Sequence, residues 1–340
     1  MERELSHSDI IKHIHKYIIS KGYIFSPDSI KNFHLSLKTK PFVILAGISG
    51  TGKSKIVRLF AEAIGATTNN GRFKMISVKP DWNDSTELFG YKNINDEFIP
   101  GQLTEIIKEA AENNSMPYFV CIDEMNLARV EYYLSEYLSL IESRRVQGGK
   151  IVTDNIFNSN FINNEYGKSY IPENLYIVGT VNMDDTTFQF SRKVLDRANT
   201  IEFSEVDLNQ LFLDSQEVDE VTGENVNNSF IKTNYLNIND IEEEYREYAV
   251  SINNNIVKIN DILKKARKHF AYRVRDEIIF YMVENKKLEL LNENTAFDCQ
   301  IMQKILPAIS GSEVIIKDVL VDLFNFCLGK EAVLSDINYL

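Results

Sequence analysis

Phe42-Val43-Ile44-Leu45-Ala46-Gly47-Ile48-Ser49-Gly50-Thr51-Gly52-Lys53-Ser54 is an apolar run that empties into a glycine-rich loop, and this loop decides the fold. The run has the length and branching of a buried strand. After it, Gly47, Gly50 and Gly52 let successive backbone N–H groups turn inward around an anion, with Ser49 and Thr51 between them. Lys53 is spaced to reach the β- and γ-phosphates of a nucleotide, and the Ser54 hydroxyl to ligate Mg²⁺. From Ser54 to Ile64 the apolar residues Ile56, Phe60 and Ile64 recur on one helical face, and Gly65 closes the helix. Strand, phosphate loop and helix therefore follow one another in the order a nucleotide site requires.

Phosphoryl transfer also needs a carboxylate behind the metal and a group to orient or deprotonate the attacking water. Tyr118-Phe119-Val120-Cys121-Ile122-Asp123-Glu124 supplies both at the end of a second apolar strand, Asp123 suiting the metal and Glu124 the base. Leu175-Tyr176-Ile177-Val178-Gly179-Thr180-Val181-Asn182 is a third such strand, and it ends in an amide at the same sheet edge. Asn182 either holds the water against the γ-phosphate or caps the chain locally. Asp184-Asp185-Thr186-Thr187 follow as candidate caps of the next helix.

Arg192 and Arg197 stand near the end of that helix, where cations are favourable on dipole grounds alone. Their other role is as an arginine finger that stabilises charge on a transferring phosphoryl group. Arg144-Arg145 after the 126–143 pattern read as dipole partners or as a face toward a neighbour. Trp82, in a loop, is either packed or available to a partner. Lys264 to Glu277 is the densest basic segment; it reads as a solvated helix face from which one arginine can turn back to the nucleotide.

From residue 42 onward, strands near 42–46, 74–78, 118–122, 175–181 and 199–203 alternate with helices near 53–64, 102–112, 126–143 and 188–196. The alternation predicts an α/β fold, a parallel five-stranded sheet covered by helices, with ligands at the carboxyl ends of its strands. Residues 1–40 read as an N-terminal helical appendage and 41–205 as the nucleotide-binding core. Residues 206–255, acidic and Asn-rich, read as an irregular insertion or linker. A small all-α lid follows at 256–340, with helical patterns at 256–270, 272–285, 295–306 and 312–328.

The chain has 340 residues, a net charge of −12 and three widely spaced cysteines. The charge argues against a surface that binds nucleic acid by charge alone. Cys121, Cys299 and Cys327 lack paired spacing and read as structural thiols. No apolar run approaches the roughly 20 residues of a membrane span, and the first residues lack a signal peptide's apolar region, so a cytoplasmic location is expected.

The phosphate loop, Ile122-Asp123-Glu124, Asn182, the arginines and the trailing helices together resemble an AAA+ nucleoside triphosphatase over about residues 20 to 330. Within that family the chain is similar to the dynein-related and MoxR-like group, and to the McrB-type motor subunits of restriction systems. The stretches that carry this are the loop, Glu124-Met125-Asn126-Leu127-Ala128 and Pro172 to Asn182. The resemblance implies Walker A contacts at Lys53 and Ser54, a Walker B metal ligand and base at Asp123 and Glu124, and sensor 1 at Asn182. It further implies a trans-acting finger at Arg197 or Arg192, and sensor 2 at Arg273 with Arg275 as the alternative. The stretch from Glu87 to Gly101 matches the family's pre-helix insertion.

An ATP-hydrolysing ring, usually a hexamer with Mg²⁺, is implied, with GTP as the alternative substrate. The family's arginine after the sensor strand is missing here, and there is no guanine-reading Asn-Lys-x-Asp motif. The chain has no recognisable nuclease site, so a nuclease or McrC-like partner, with DNA reached through the complex, completes the expectation. A nucleotide-dependent assembly switch or a MoxR-like chaperone acting on protein is the other reading.

Overall fold

The computed structural model describes residues 6–157, 166–167, 169–183, 188, 190–204, 220–309, 311 and 313–329. At its centre are five strands, β1 (Phe42–Gly47), β2 (Phe73–Ser77), β5 (Tyr118–Asp123), β8 (Leu175–Asn182) and β9 (Asn199–Glu202). They pair in parallel in the order β2-β5-β8-β1-β9, so the five-stranded parallel expectation holds. The three central strands, β5, β8 and β1, are apolar on both faces because both are covered, whereas the edge strands β2 and β9 carry polar residues such as Lys74 and Glu202. Val43, Leu45, Phe119, Cys121, Tyr176 and Val178 pack on one side; Phe42, Ile44, Val120, Ile122, Leu175 and Ile177 pack on the other. A fully buried side chain of this kind contributes about 1.5–3 kcal/mol, so two such layers fix the register firmly.

The first layer is covered by α3 (Lys53–Ala63) and by two helices ahead of the loop, α1 (His7–Ser20) and α2 (Pro27–Thr39). These two pack directly on α3. The Tyr17 hydroxyl donates to Glu62 at 3.2 Å and His13 meets the Ala63 carbonyl at 3.2 Å, both on α3. The second layer is covered by α5 (Gln102–Glu112), α6 (Val130–Tyr133) and α7 (Ser135–Leu140), and α8 (Arg192–Leu195) adds Val194 to it.

The 126–143 pattern, expected as one helix, is broken into α6 and α7 with a 3₁₀ turn at each end, Met125–Leu127 and Ile141–Ser143. Its stripe is nevertheless the core: Val130, Leu134, Leu138 and Ile141 are all buried. Trp82 belongs to the same layer, 6% exposed and edge-on to Tyr133 at 5.4 Å, which removes it as a partner contact. Between β2 and α5 lie a short helix α4 (Thr86–Phe89) and the hairpin β3 (Gly90–Lys92) with β4 (Phe98–Pro100); a second hairpin joins β6 (Arg145–Gln147) to β7 (Lys150–Val152). Arg145 lies in that hairpin, on Asp154 at 2.7 Å, and so is not a helix-dipole partner.

The helical region consists of α9 (Glu243–Lys264), α10 (Tyr272–Leu288), α11 (Glu293–Gln300) and α12 (Glu313–Leu328). The irregular stretch expected to run to 255 is helical from Glu243, because Glu243 and Glu244 are first-turn acids that favour a helix start. Residues 220–242 pack on the core, Glu224 N–H donating to the Ala63 carbonyl at 3.0 Å. Ile252, Ile256, Ile259, Ile278 and Ile279 enter the same apolar cluster as α1, α2 and α3. The candidate cap Asp184–Thr187 and the acidic run at 205–219 lie outside the described residues.

Candidate nucleotide site

The loop leaves β1 at Gly47, where a Cβ would stand 2.5 Å from the Phe203 carbonyl oxygen, so only glycine fits beside β9's exit. It enters α3 at Gly52, whose φ of +87° is the left-handed conformation that glycine adopts without cost. Ser49 and Gly50 are exposed, and the Thr51 hydroxyl donates to the Ile48 carbonyl at 3.2 Å. Lys53 is buried and donates to the Gly47 and Ile48 carbonyls at 3.0 and 2.6 Å. Burial lowers its ammonium pKa, and Asp123 and Glu124 oppose that. A phosphate at the loop would supply the charge that burial has made scarce there.

Asp123 and Glu124 end β5 beside the loop. The Ser54 hydroxyl donates to Asp123 Oδ1 at 2.5 Å, and the Thr180 hydroxyl donates to the same oxygen at 2.7 Å. Thr180 also accepts the Glu124 backbone N–H at 3.0 Å, so one hydroxyl fixes both acids. Glu124 sits at φ +52°, an uncommon conformation for a non-glycine residue and one that concentrates at functional sites. Its side chain accepts the Asn182 amide at 3.1 Å, and the Asn182 carbonyl in turn accepts Asn126 Nδ2 at 3.0 Å.

Thr180 and Asn126 were not singled out in the sequence. The signal was there for Thr180: it lies two residues before Asn182, on the same face of an otherwise apolar strand, and the pairing of Ile122 with Gly179 places it next to Asp123. A hydroxyl and a carboxylate converging on one point are hard oxygen donors and fit Mg²⁺, which takes few protein ligands beside phosphate oxygens. Ser54 and Asp123 would hold it.

The arginines lie elsewhere. Arg197 precedes β9, whose Asn199 pairs with Val43 near the start of β1; it is thus at the edge opposite the loop, a strand length of about 20 Å away. Its Nε donates to the Leu138 carbonyl at 2.9 Å, Nη1 to the Lys193 carbonyl at 2.7 Å, and Nη2 pairs with Glu142 at 2.5 Å. Arg192 is exposed, with no ion pair among the described residues.

Arg273, expected at the nucleotide, is bound instead to the other oxygen of Glu142, and Arg275 pairs with Asp276 at 2.6 Å. The physical reason is the anchoring of α10. Glu277 grips both Lys40, immediately before β1, and Lys304, which ties the N-terminal end of α10 to the far edge of the sheet. Neither arginine is brought to its own loop.

A model of the AAA domain (dynein-related subfamily) matches residues 42–198. Those residues form an AAA domain of the dynein-related subfamily. A domain of unknown function (DUF8727) matches 217–338. The chain is similar to the type IV methyl-directed restriction enzyme EcoKMcrB subunit of Escherichia coli (strain K12), 24% identical over 66% of this chain and 48% of that protein. It is also similar to the DNA translocase FtsK of Chlamydia muridarum (strain MoPn / Nigg), 30% identical over 44% of this chain and 16% of that one. The chain therefore spans about half the length of the restriction subunit and a small part of the translocase. A crystal structure from Cytophaga hutchinsonii, provisionally described as an ATPase, aligns over 98% of this chain and 86% of its own at 14% identity and a TM-score of 0.40. At family level, the match of residues 42–198 to the AAA domain supports a nucleoside triphosphatase. No described helix is long and apolar enough to cross a membrane.

Proposed function

We propose that this chain is an ATP-hydrolysing subunit of a ring motor, with sites completed between neighbours. The observation that supports this is the position of Arg197, about a strand length from its own loop: a finger there is out of reach of its own nucleotide and would act on a neighbour's. In its own site, loop N–H groups and Lys53 cradle the β- and γ-phosphates. Ser54 and Asp123 hold Mg²⁺, which neutralises phosphate charge when bound. Glu124, oriented by the Asn182 amide and its own left-handed backbone, takes the proton of the attacking water. Thr180 keeps the two acids in fixed relation. Arg197, with Arg192 beside it at the same edge, supplies positive charge to the neighbour's transferring phosphoryl group.

ATP is favoured over GTP. The ring, a hexamer by family habit, works on DNA with a nuclease-bearing partner; the likeness to the restriction subunit and the translocase supports that direction. Residues 41–205 serve as its motor core and the C-terminal helices as the second part.

Steady-state hydrolysis of ATP and GTP across protein concentration tests this. The expected result is Mg²⁺-dependent turnover that rises with concentration, is lost in Glu124→Gln and in Arg197→Ala, and returns when those two variants are mixed. Absence of turnover with either nucleotide would sink the enzyme reading, and an active Arg197→Ala would sink the shared site.

A further inference from the structure

Arg197 is held at two levels, and both lead to the same helix. Its guanidinium rests on one oxygen of Glu142, while Arg273, at the start of α10, takes the other. Its backbone is held as well. The carbonyl before it, of Asp196, accepts Lys40 Nζ at 3.2 Å, and the carbonyl after it, of Ala198, accepts Lys304 Nζ at 2.6 Å. Both ammonium groups converge on Glu277 of α10, one turn along from Arg273. Burial by itself would raise the Glu277 carboxyl, yet Lys304 and Lys40 outweigh it and hold it at about 2.

Resting on the reading of Arg197 as a finger, we infer that Glu142 is the positioning residue of that finger and that α10, through Arg273 and Glu277, sets its place. Two guanidinium groups share a single carboxylate, so the pair is drawn together while one positive charge stays uncompensated. Three of the five N–H groups of Arg197 are spent on Leu138, Lys193 and Glu142, which leaves two for a phosphoryl oxygen. Without Glu142 the two like charges repel and Arg197 loses one of its three tethers. A displacement of this kind in a group that meets only the transition state lowers kcat and spares ground-state binding.

The geometry also makes the helical region the element that reports to the neighbour. A shift of α10 moves the Glu277 clamp and the Glu142 bridge together, and so moves the finger of its own subunit rather than its own loop.

The test is ATP turnover by the full chain carrying Glu142→Gln, alone and mixed with Glu124→Gln. Glu142 is 35% exposed at its side chain and the exchange is isosteric, so folding is expected to survive. The expected result is kcat down about tenfold or more, with KM for ATP within about twofold of wild type. Turnover should recover on mixing, because the Glu124→Gln subunit brings an intact finger to the Glu142→Gln subunit's intact base. Arg273→Ala, at a side chain 45% exposed, should show the same pattern more weakly and carries the test if Glu142→Gln does not fold.

Wild-type kcat in Glu142→Gln, a raised KM at unchanged kcat, or a loss that mixing does not repair would each overturn the inference. Arg197→Ala measured alongside separates the two claims. If it is inactive and complemented while Glu142→Gln behaves as wild type, only the positioning role fails. If it is fully active, the finger itself fails.

Discussion

The two ends of the central sheet hold their carboxylates in opposite ways. At the loop end, the carboxylates of Asp123 and Glu124 accept from neutral donors: the hydroxyls of Ser54 and Thr180 on Asp123, and the amide of Asn182 on Glu124. At the other end, Glu277 lies between Lys40 and Lys304, and Glu142 between Arg197 and Arg273. Neutral hydrogen bonds aim a carboxylate without cancelling its charge, so it remains available to a cation or a water. Cations cancel the charge and lock the group in place. One end is arranged for chemistry; the other is a joint between the sheet and the C-terminal helices.

The largest expected break comes from the base. Glu124→Gln keeps the shape and the amide contact but cannot take a proton, and hydrolysis should fall on the order of 10³-fold with nucleotide binding retained. Equilibrium binding of a fluorescent ATP analogue beside a phosphate-release assay checks both halves.

Next is the joint. Glu277→Ala would strand two buried ammonium groups and should lower unfolding free energy by about 3–5 kcal/mol in a denaturant titration. Replacing all three members together, Lys40→Met with Glu277→Leu and Lys304→Met, should recover most of that loss, because the cost lies in the unpaired charges. A triple variant as unstable as Glu277→Ala would contradict this account.

The pH response sharpens the same comparison. Glu277 has a folded-state pKa of about 2 against an ordinary 4.5, so its stabilisation is present above about pH 4.5 and is lost as pH falls toward 2. Unfolding midpoints measured across that window should fall in the wild type, and fall less in the triple variant. A weaker effect is expected at the loop end. Thr180→Val removes the hydroxyl that serves both acids and should cost about 1–3 kcal/mol, since the Glu124 N–H is left without its acceptor. Thermal unfolding measures it, and a neutral result would show that Asp123 and Glu124 are held by their other partners.

The loop end was largely legible in the sequence because its parts are local. A strand, a glycine turn and a helix start are contiguous, and an acid pair or an amide at a strand's end is placed by the strand itself. Even Thr180 was readable in principle from the period-2 pattern. The joint was not legible. Lys40, Glu142, Glu277 and Lys304 are scattered along the chain, each unremarkable in its own segment; Arg197 stands out only as a candidate finger, with nothing to show its partners, and Arg273 reads as facing the nucleotide. The boundary of α9 was misplaced for a related reason: an acidic, Asn-rich composition masked the apolar residues Ala249 and Ile252 that face the core.

By itself, then, the sequence determined the parallel α/β core, the phosphate loop and the placing of Asp123, Glu124 and Asn182 at strand ends, since each follows from backbone geometry over a few consecutive residues. Only the tertiary structure decided where the helical region sits and which end of the sheet its arginines serve. That outcome depends on long-range charge pairing between segments more than a hundred residues apart, and such pairing leaves no periodicity in the chain to read.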